Sequence, residues 1–106
     1  MIRGEIWWVD FDPAAGSEIQ KTRPAVIMSD TSSNRVLSRV VVIPFTTNVK
    51  KFYSGNVLIT INGRPSKLLS DQIMDADKSR LKTRIGALSP ADLAAVETAI
   101  RCYLVL

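Results

Sequence analysis

Histidine is absent from this chain of 106 residues, and cysteine occurs once, as Cys102. The absence of histidine excludes serine–histidine and cysteine–histidine hydrolysis, paired-histidine nuclease chemistry and histidine metal centres. A single cysteine excludes an internal disulfide and a multi-cysteine zinc site, and we expect Cys102, on a predicted helix, to be a small core residue. Acid–base chemistry must therefore use arginine, lysine, carboxylates, tyrosine or hydroxyl groups.

Long apolar runs are also missing, because none approaches the roughly 20 residues that a membrane-spanning helix needs. The N-terminus lacks the apolar core of a signal peptide, so we expect a cytoplasmic protein with no membrane partner. Hydrophobic residues make up 46% of the chain, which is typical of a globular protein, and we expect residues 1–106 to form one domain. The formal net charge of +4 suits a polyanionic partner, although simple solubility would also account for it.

Polar side chains stand where two predicted strands meet an edge of a sheet. Arg23 precedes a proline, which disfavours helix at the residue before it, and leads into the apolar residues 25–28. Thr46 and Thr47 follow residues 40–45, the most apolar run of the chain. If the two strands are neighbours, guanidinium and hydroxyl converge in a phosphate-binding arrangement. The alternative is an ordinary surface arginine beside a solvated threonine turn.

The pattern of residue types predicts many short strands. Strands are predicted where β-branched and aromatic residues cluster, at residues 5–10, 25–28, 40–45, 56–61, 67–69 and 84–88. Asn62-Gly63 is a strong tight-turn signal. Residues 71–74 are predicted to continue extended, and single helical turns are expected after Asp30 and over residues 77–81.

A helix is predicted to begin after Ser89, an N-cap residue followed by proline at the first helical position. An apolar stripe continues to the end of the chain, at Leu93, Val96, Ile100, Tyr103 and Leu104, and is expected to pack on the sheet. The sequence therefore predicts a mainly β fold of the α+β class. We expect a small, bent β-barrel with a C-terminal helix and one or two short helical turns.

Nine short motifs span the chain from its third residue to the start of this helix. They are RGEIW at 3–7, DP at 12–13, GSE at 16–18, RPAV at 23–26, PFTTN at 44–48, DQI at 71–73, DKSRL at 77–81, IG at 85–86 and LS at 88–89. In this order and at these spacings they resemble the MazF/PemK toxins of bacterial toxin–antitoxin systems. Each motif alone is weak, and the combination is specific.

The resemblance implies an SH3-like barrel of the CcdB/PemK-like type, built as a homodimer. It implies a sequence-specific endoribonuclease toxin that uses no metal or other cofactor. Such an enzyme cleaves single-stranded RNA by 2′-hydroxyl transesterification and leaves 2′,3′-cyclic phosphate and 5′-hydroxyl ends. A cognate antitoxin would neutralise it, and operator DNA would be reached only through the antitoxin complex.

The resemblance assigns catalysis to Arg23 and Thr46, and places Ser17, Glu18 and Gln72 near the RNA groove. Further residues expected to contact RNA are Lys21, Thr47, Lys50 and Lys51. In-line attack of a 2′-hydroxyl creates a phosphorane with extra negative charge, which a bidentate guanidinium stabilises and a threonine hydroxyl can support. Strand register decides whether Thr46 or Thr47 faces the phosphate.

Basic and aromatic residues predict the character of the inhibitor. The basic residues are Lys21, Arg23, Lys50 and Lys51, and the hydrophobic residues expected near the same edge are Trp8, Phe11, Phe52 and Tyr53. An antitoxin with an acidic, initially disordered tail would mimic RNA phosphates and fill base pockets on this surface. The alternative is that these aromatic residues belong to the core or to a dimer contact.

Three other functions fit parts of the sequence. A non-catalytic binding toxin of the gyrase-poison type would share the barrel but act through its C-terminal helix, so the arginine–proline and threonine motifs favour the nuclease. A DNA-binding autoregulator acting with its antitoxin is compatible with the nuclease role. A metal nuclease built on Asp10 and Asp12, or on Asp75 and Asp77, is the weakest alternative, because acids in loops usually cap turns.

Overall fold

A computed structural model describes residues 1–13, 16, 18, 20–53 and 56–106, and within these residues seven strands and two helices are formed. The strands are β1 (Glu5–Asp10), β2 (Thr22–Ile27), β3 (Arg39–Thr46), β4 (Leu58–Ile61), β5 (Arg64–Leu68), β6 (Met74–Asp77) and β7 (Leu81–Ala87). The helices are α1 (Thr31–Val36) and α2 (Pro90–Leu104). No helix in this described part of the chain is long and apolar enough to cross a membrane.

Strand β3 is the junction of the sheet, whose order is β4-β5-β3-β2-β1-β7, with β6 also paired to β3. β6 pairs with the first half of β3, as far as Val42, whereas β5 pairs with its end, at Phe45 and Thr46. Pro44, which has no amide proton to donate, lies between the two pairings. This change of partner bends the sheet into a half-barrel, which confirms the predicted β-barrel with its C-terminal helix.

Buried side chains lie on both faces of β3. The helix-side core contains Ile43 and Phe45 of β3 with Ile6, Val26, Ile59, Ile61, Leu68 and Val96. The loop-side core contains Val40 and Val42 of β3 with Val9, Phe11, Ala25, Ile27, Ala76 and Leu81. Because successive strand residues point to opposite faces, the even-numbered Val40 and Val42 belong to the loop-side core and the odd-numbered Ile43 and Phe45 to the helix-side core.

Helix α2 begins as predicted, with the Ser89 hydroxyl accepting a hydrogen bond from the Asp92 amide at 3.1 Å. Val96 is fully buried against the sheet. The prediction is wrong for the last turn, where Tyr103 is 51% exposed and Leu104 45% exposed. Cys102 is exposed as well, so it is not the core residue expected. Helix α2 packs on the sheet through Val96, Ala99 and Ile100, and its last turn projects beyond that contact.

The segment after β5 also differs from prediction. Ser70–Gln72 forms a 3₁₀ turn, closed by a 2.9 Å hydrogen bond from the Gln72 amide to the Leu69 carbonyl. Strand β6 begins only after it, because the run of short polar residues satisfies a turn better than a buried strand. The two helical turns that were predicted are confirmed, as α1 after its cap Asp30 and as a 3₁₀ turn at Lys78–Arg80.

Glu5 is a buried carboxylate at the start of β1. Its Oε2 accepts a hydrogen bond from Arg84 Nε at 2.6 Å, and its Oε1 accepts from the Ile2 amide at 2.8 Å and the Trp7 indole at 3.3 Å. Burial alone would raise the pKa of this carboxyl, but the hydrogen bonds outweigh it, and the net effect is a pKa lowered from its ordinary value of 4.5. The charged carboxylate therefore ties β1 to β7.

Candidate functional site

Arg23 and Thr46 lie at the ends of the neighbouring strands β2 and β3. The two strands are antiparallel, and their last recorded pair on this side is Ala25 opposite Pro44. Extending that register by two residues sets Arg23 opposite Thr46. By strand alternation, Arg23 shares a face with Ala25 and Thr46 shares a face with Pro44. Continued in this way, the register would bring the two predicted catalytic residues to one level at this edge of the sheet.

Both side chains keep donors for a ligand. The Arg23 Nε donates to the Gln20 carbonyl at 3.2 Å, and its two terminal nitrogens form no hydrogen bond with any residue that the structure describes. Among the described residues no carboxylate forms an ion pair with Arg23. The Thr46 hydroxyl oxygen accepts from the Asn48 amide at 3.2 Å, so its own proton can be donated elsewhere. A phosphate seated here would meet a fork of N–H groups and one O–H group.

Thr47 is exposed and is the first residue after β3, so strand alternation does not fix the direction of its side chain. It lines a cleft with Trp8, Pro24 and Arg23 itself. The extended register supports Thr46 as the partner of Arg23, and Thr47 borders the same guanidinium from the cleft.

A groove of about 560 Å³ runs beside the first long loop and contains two of the predicted RNA-binding residues, Glu18 and Gln72. Asp71 and Tyr103 also line it, and both border a second hollow of about 350 Å³ that contains Tyr53. We call the two hollows together the Gln72 groove. It offers carboxylate, amide and phenol groups along one continuous surface.

Arg80, which also lines the Gln72 groove, was not predicted as a functional residue. Its Nη1 donates to the carbonyls of Asp10 at 3.0 Å and Asp12 at 2.8 Å. The same loop is closed by a 2.9 Å hydrogen bond from the Lys21 amide to Asp12 Oδ1. Arg80 thus clamps the base of the loop that carries Glu18. The signal was present in the DKSRL motif, but the contact joins residues about 70 positions apart in sequence.

The three predicted lysines lie outside the groove. Lys21 is exposed and has a φ of 65°, the left-handed region, so its backbone forms the turn back into β2. Lys50 and Lys51 are exposed in the loop after β3, and the Lys51 carbonyl accepts a 2.6 Å hydrogen bond from Lys67 Nζ. The structure therefore places these cations in flanking loops. Ser17 lies outside the described residues.

The aromatic residues predicted at this edge divide into two groups. Phe11 is only 4% exposed and belongs to the loop-side core, although it also lines the first hollow of the Gln72 groove. Its position directly after β1 lets it fold back under the loop. Phe52 and Tyr53 are 49% and 66% exposed, as a binding role requires.

The acid pairs considered for a metal site have structural partners. Asp10 Oδ1 accepts from the Asp12 amide at 3.0 Å, and Asp75 forms an ion pair with Arg39 at 3.1 Å. Asp77 caps a 3₁₀ turn, and hydrogen bonds from a serine hydroxyl and amide lower the pKa of its carboxyl. Within the described ranges, no group of three acidic or cysteine side chains could hold a metal ion.

Comparison with known proteins places the chain in a family. Residues 2–104 match the model of the PemK-like, MazF-like toxins of type II toxin–antitoxin systems, and the chain belongs to that family. Endoribonuclease MazF9 of Mycobacterium tuberculosis is 39% identical over 113 residues, covering 98% of this chain and 96% of that protein. The endoribonuclease toxin MazF of Escherichia coli K12 is 34% identical over 98 residues, covering 92% and 87%.

Solved structures show the same fold. The crystal structure of MazF from Deinococcus radiodurans gives a TM-score of 0.88 at 26% identity, covering 100% of this chain and 97% of that one. An endoribonuclease from a mycobacterial species, solved in complex with its cognate antitoxin, gives a TM-score of 0.82 at 22% identity, covering 100% and 96%. These neighbours confirm the half-barrel with its C-terminal helix.

Proposed function

We propose that this protein is an endoribonuclease toxin that cuts single-stranded RNA at short sequences without a metal or other cofactor. The observation that carries the proposal is the β2–β3 register, which pairs Ala25 with Pro44 and, extended by two residues, would set Arg23 opposite Thr46. Among the described residues, the terminal nitrogens of Arg23 and the hydroxyl proton of Thr46 have no acceptor. Two relatives at 39% and 34% identity are named endoribonucleases, which supports the same reaction class. Family membership also favours this role over a gyrase poison of the same fold.

The geometry suits attack of a ribose 2′-hydroxyl on the adjacent phosphorus. The new bond joins O2′ to phosphorus, the bond to O5′ breaks, and the products carry a 2′,3′-cyclic phosphate and a 5′-hydroxyl. Arg23 would bind two non-bridging oxygens of the phosphorane through its terminal nitrogens, and Thr46 would donate to one of them. The proton lost by O2′ and the proton gained by O5′ pass through Arg23 or through water and substrate. Without a histidine, this step predicts slow turnover compared with histidine nucleases.

The Gln72 groove would read the bases around the cut. Carboxylate and amide groups of Glu18 and Gln72 suit the hydrogen-bonding edges of unpaired bases, and exposed tyrosines suit stacking. Ser17 is assigned to the same role by resemblance. Lys21, Lys50 and Lys51 would attract the RNA backbone from the flanking loops.

A homodimer with RNA bound along the subunit junction is part of the proposal. The end of the chain supports it, because Val105 is 88% exposed and Leu106 is 84% exposed, next to a half-exposed Tyr103 and Leu104. Continuous apolar surface of this kind usually marks a protein contact. Light scattering at micromolar concentration should show a dimer, and a monomer would contradict this part of the proposal.

An antitoxin with an acidic, disordered tail is the proposed inhibitor in the cytoplasm, and operator DNA would be bound only through the antitoxin complex. Exposed Phe52 and Tyr53 beside Lys50 and Lys51 support it, because acidic and apolar residues of a tail would both find partners there. A saturating antitoxin peptide should prevent RNA binding, and added salt should weaken both complexes. Binding of the peptide while RNA still occupies the groove would refute competition.

Cleavage of a defined RNA in the presence of EDTA, with chemical mapping of the new ends, tests the nuclease. We expect discrete cuts with cyclic phosphate and 5′-hydroxyl ends. Cleavage that requires added magnesium would support the paired-acid alternative. A folded protein that cuts no RNA but inhibits gyrase would support the binding toxin.

A further inference from the structure

A cleft of about 370 Å³ opens on the helix-side face of the same sheet edge. We call it the Trp8 cleft. Trp8 and Pro24, which are paired across β1 and β2, form one wall. The turn between β4 and β5 supplies Asn62 and Arg64 on the other wall, and Thr47, which follows β3, also lines the cleft.

Packing does not explain the position of Trp8. Its neighbour Trp7 packs against the loop-side core, and its indole donates to Glu5. Trp8 is half-buried but belongs to neither core, and its indole has no hydrogen-bond partner among the residues described. A large aromatic ring that is held between strands without serving the core is suited to stacking with a ligand.

The other wall provides an unpaired cation. Arg64 is exposed and forms no ion pair within the described part of the chain, and no described acidic residue lines the cleft. A tight hairpin turn presents it, in which Asn62 and Gly63 have φ values of 50° and 76°. Serine and threonine hydroxyls from Ser66 and Thr47 complete the lining. Aromatic, cationic and hydroxyl groups together suit a nucleotide.

The cleft adjoins the proposed phosphate site. Arg23 and Thr47 both line it, and Thr47 directly follows Thr46 on the chain. An RNA strand with one phosphate against Arg23 and Thr46 would therefore bring the neighbouring nucleotide within reach of the cleft.

We propose that the Trp8 cleft binds the base of an RNA nucleotide next to the scissile phosphate, by stacking on Trp8, while Arg64 contacts its phosphate. The inference rests on the proposed nuclease function. It adds a recognition element outside the Gln72 groove, on the opposite face of the sheet edge. A stacked base has little sequence preference, so this element would add affinity and fix the position of the cut.

The test is carried out in a Trp7→Phe variant. The chain has two tryptophans, so Trp8 is then the only source of tryptophan fluorescence. The ligand is a short RNA centred on a cut mapped in the EDTA assay, with a 2′-O-methyl group blocking attack. Binding should quench Trp8 fluorescence. Removing the base of one nucleotide flanking the cut should abolish the quenching and weaken binding by about 5- to 150-fold, the range of a lost base stack.

Two variants test the assignment of residues. In Trp8→Ala the same abasic RNA should bind as well as the intact RNA, because the stack is already lost. Arg64→Ala should weaken RNA binding. The plot of log binding constant against log salt concentration should also become shallower, by about the slope that one phosphate contact contributes. The matched control is Arg35→Ala, because Arg35 is an exposed arginine on α1 away from the cleft. This variant should change neither the RNA affinity nor its salt dependence.

The outcomes separate this inference from the nuclease itself. In one outcome, RNA is cleaved while every flanking abasic substitution weakens RNA binding by the same factor in the Trp8→Ala variant as in the parent. In that case the cleft does not bind a base, and the proposed nuclease function is unaffected. If an acidic antitoxin peptide quenches Trp8 and RNA does not, the cleft belongs to the inhibitor and the inference is overturned. Failure of the folded protein to bind or cut any RNA overturns both.

Discussion

Replacing Arg80 with alanine should loosen the loop between β1 and β2 while leaving the half-barrel folded. Its Nη1 donates to the Asp10 and Asp12 carbonyls at 3.0 and 2.8 Å, and these bonds cross from the turn before β7 to the end of β1. The loop it clamps carries Glu18 and leads directly to Arg23. Arg80 is therefore a positioning residue for the site.

The expected magnitude follows from those two bonds. A hydrogen bond from a charged donor contributes about 1.5–3 kcal/mol, but both bonds share one nitrogen and the side chain is half-buried, so we expect a total of about 1–3 kcal/mol. Loss of that amount should lower amide protection at the base of the loop by about 5- to 150-fold. Displacement of Glu18 and Arg23 by about 1 Å would reduce cleavage by up to about 100-fold.

Hydrogen exchange at the amides of Phe11 and Lys21 measures the effect directly, because both amides are bonded within the loop base, at 2.9 Å each. Lys82→Ala is the matched control, since Lys82 is an exposed cation whose Nζ, within the described residues, donates only to the nearby Ser79 carbonyl, at 3.0 Å. It should leave both amides protected. If Arg80→Ala keeps parental protection and parental cleavage, the clamp has no role in positioning.

Three further results are expected. Thr46→Ala should reduce RNA cleavage strongly and Thr47→Ala less, because the register sets Thr46 opposite Arg23; the reverse ranking in a cleavage assay would show that the register has slipped by one. Glu5→Gln should lower the free energy of unfolding by about 1–2 kcal/mol near neutral pH. Because the folded-state pKa of Glu5 is lowered from 4.5, the difference should vanish as the pH falls below that value, and a constant difference in denaturant titrations across this range would contradict it. Ser89→Ala should lower the free energy of unfolding by about 1 kcal/mol, because the N-cap of α2 is lost. An unchanged unfolding midpoint would show that this cap does not stabilise the protein.

The elements that the sequence predicts well are those fixed by neighbouring residues. Ser89 followed by a proline determines the start of α2, and Asn62-Gly63 determines the β4–β5 turn through positive φ at both residues. Most of the strands along the chain and the terminal helix follow from such local signals, whereas β6 at Met74–Asp77 was not predicted as a strand. The positions of Arg23 and Thr46 at strand ends are predictable for the same reason.

Long-range contacts account for what could not be predicted. Phe11 is buried and Cys102 exposed because of packing between distant elements. Arg80 acts through a loop about 70 positions away. The choice between Thr46 and Thr47 was open because β3 is buried on both faces, so it shows no alternation from which to read its register.

The most direct test of the central claim is RNA cleavage by Arg23→Ala and Arg23→Lys proteins in EDTA, with folding of each checked by circular dichroism. We expect both variants to fold, because Arg23 lies at the end of β2 rather than in a core. Arg23→Ala should lose cleavage, and Arg23→Lys should recover little of it, since a point charge cannot bind two phosphate oxygens as a guanidinium does. Parental cleavage by a folded Arg23→Ala protein would contradict the assignment of the active site.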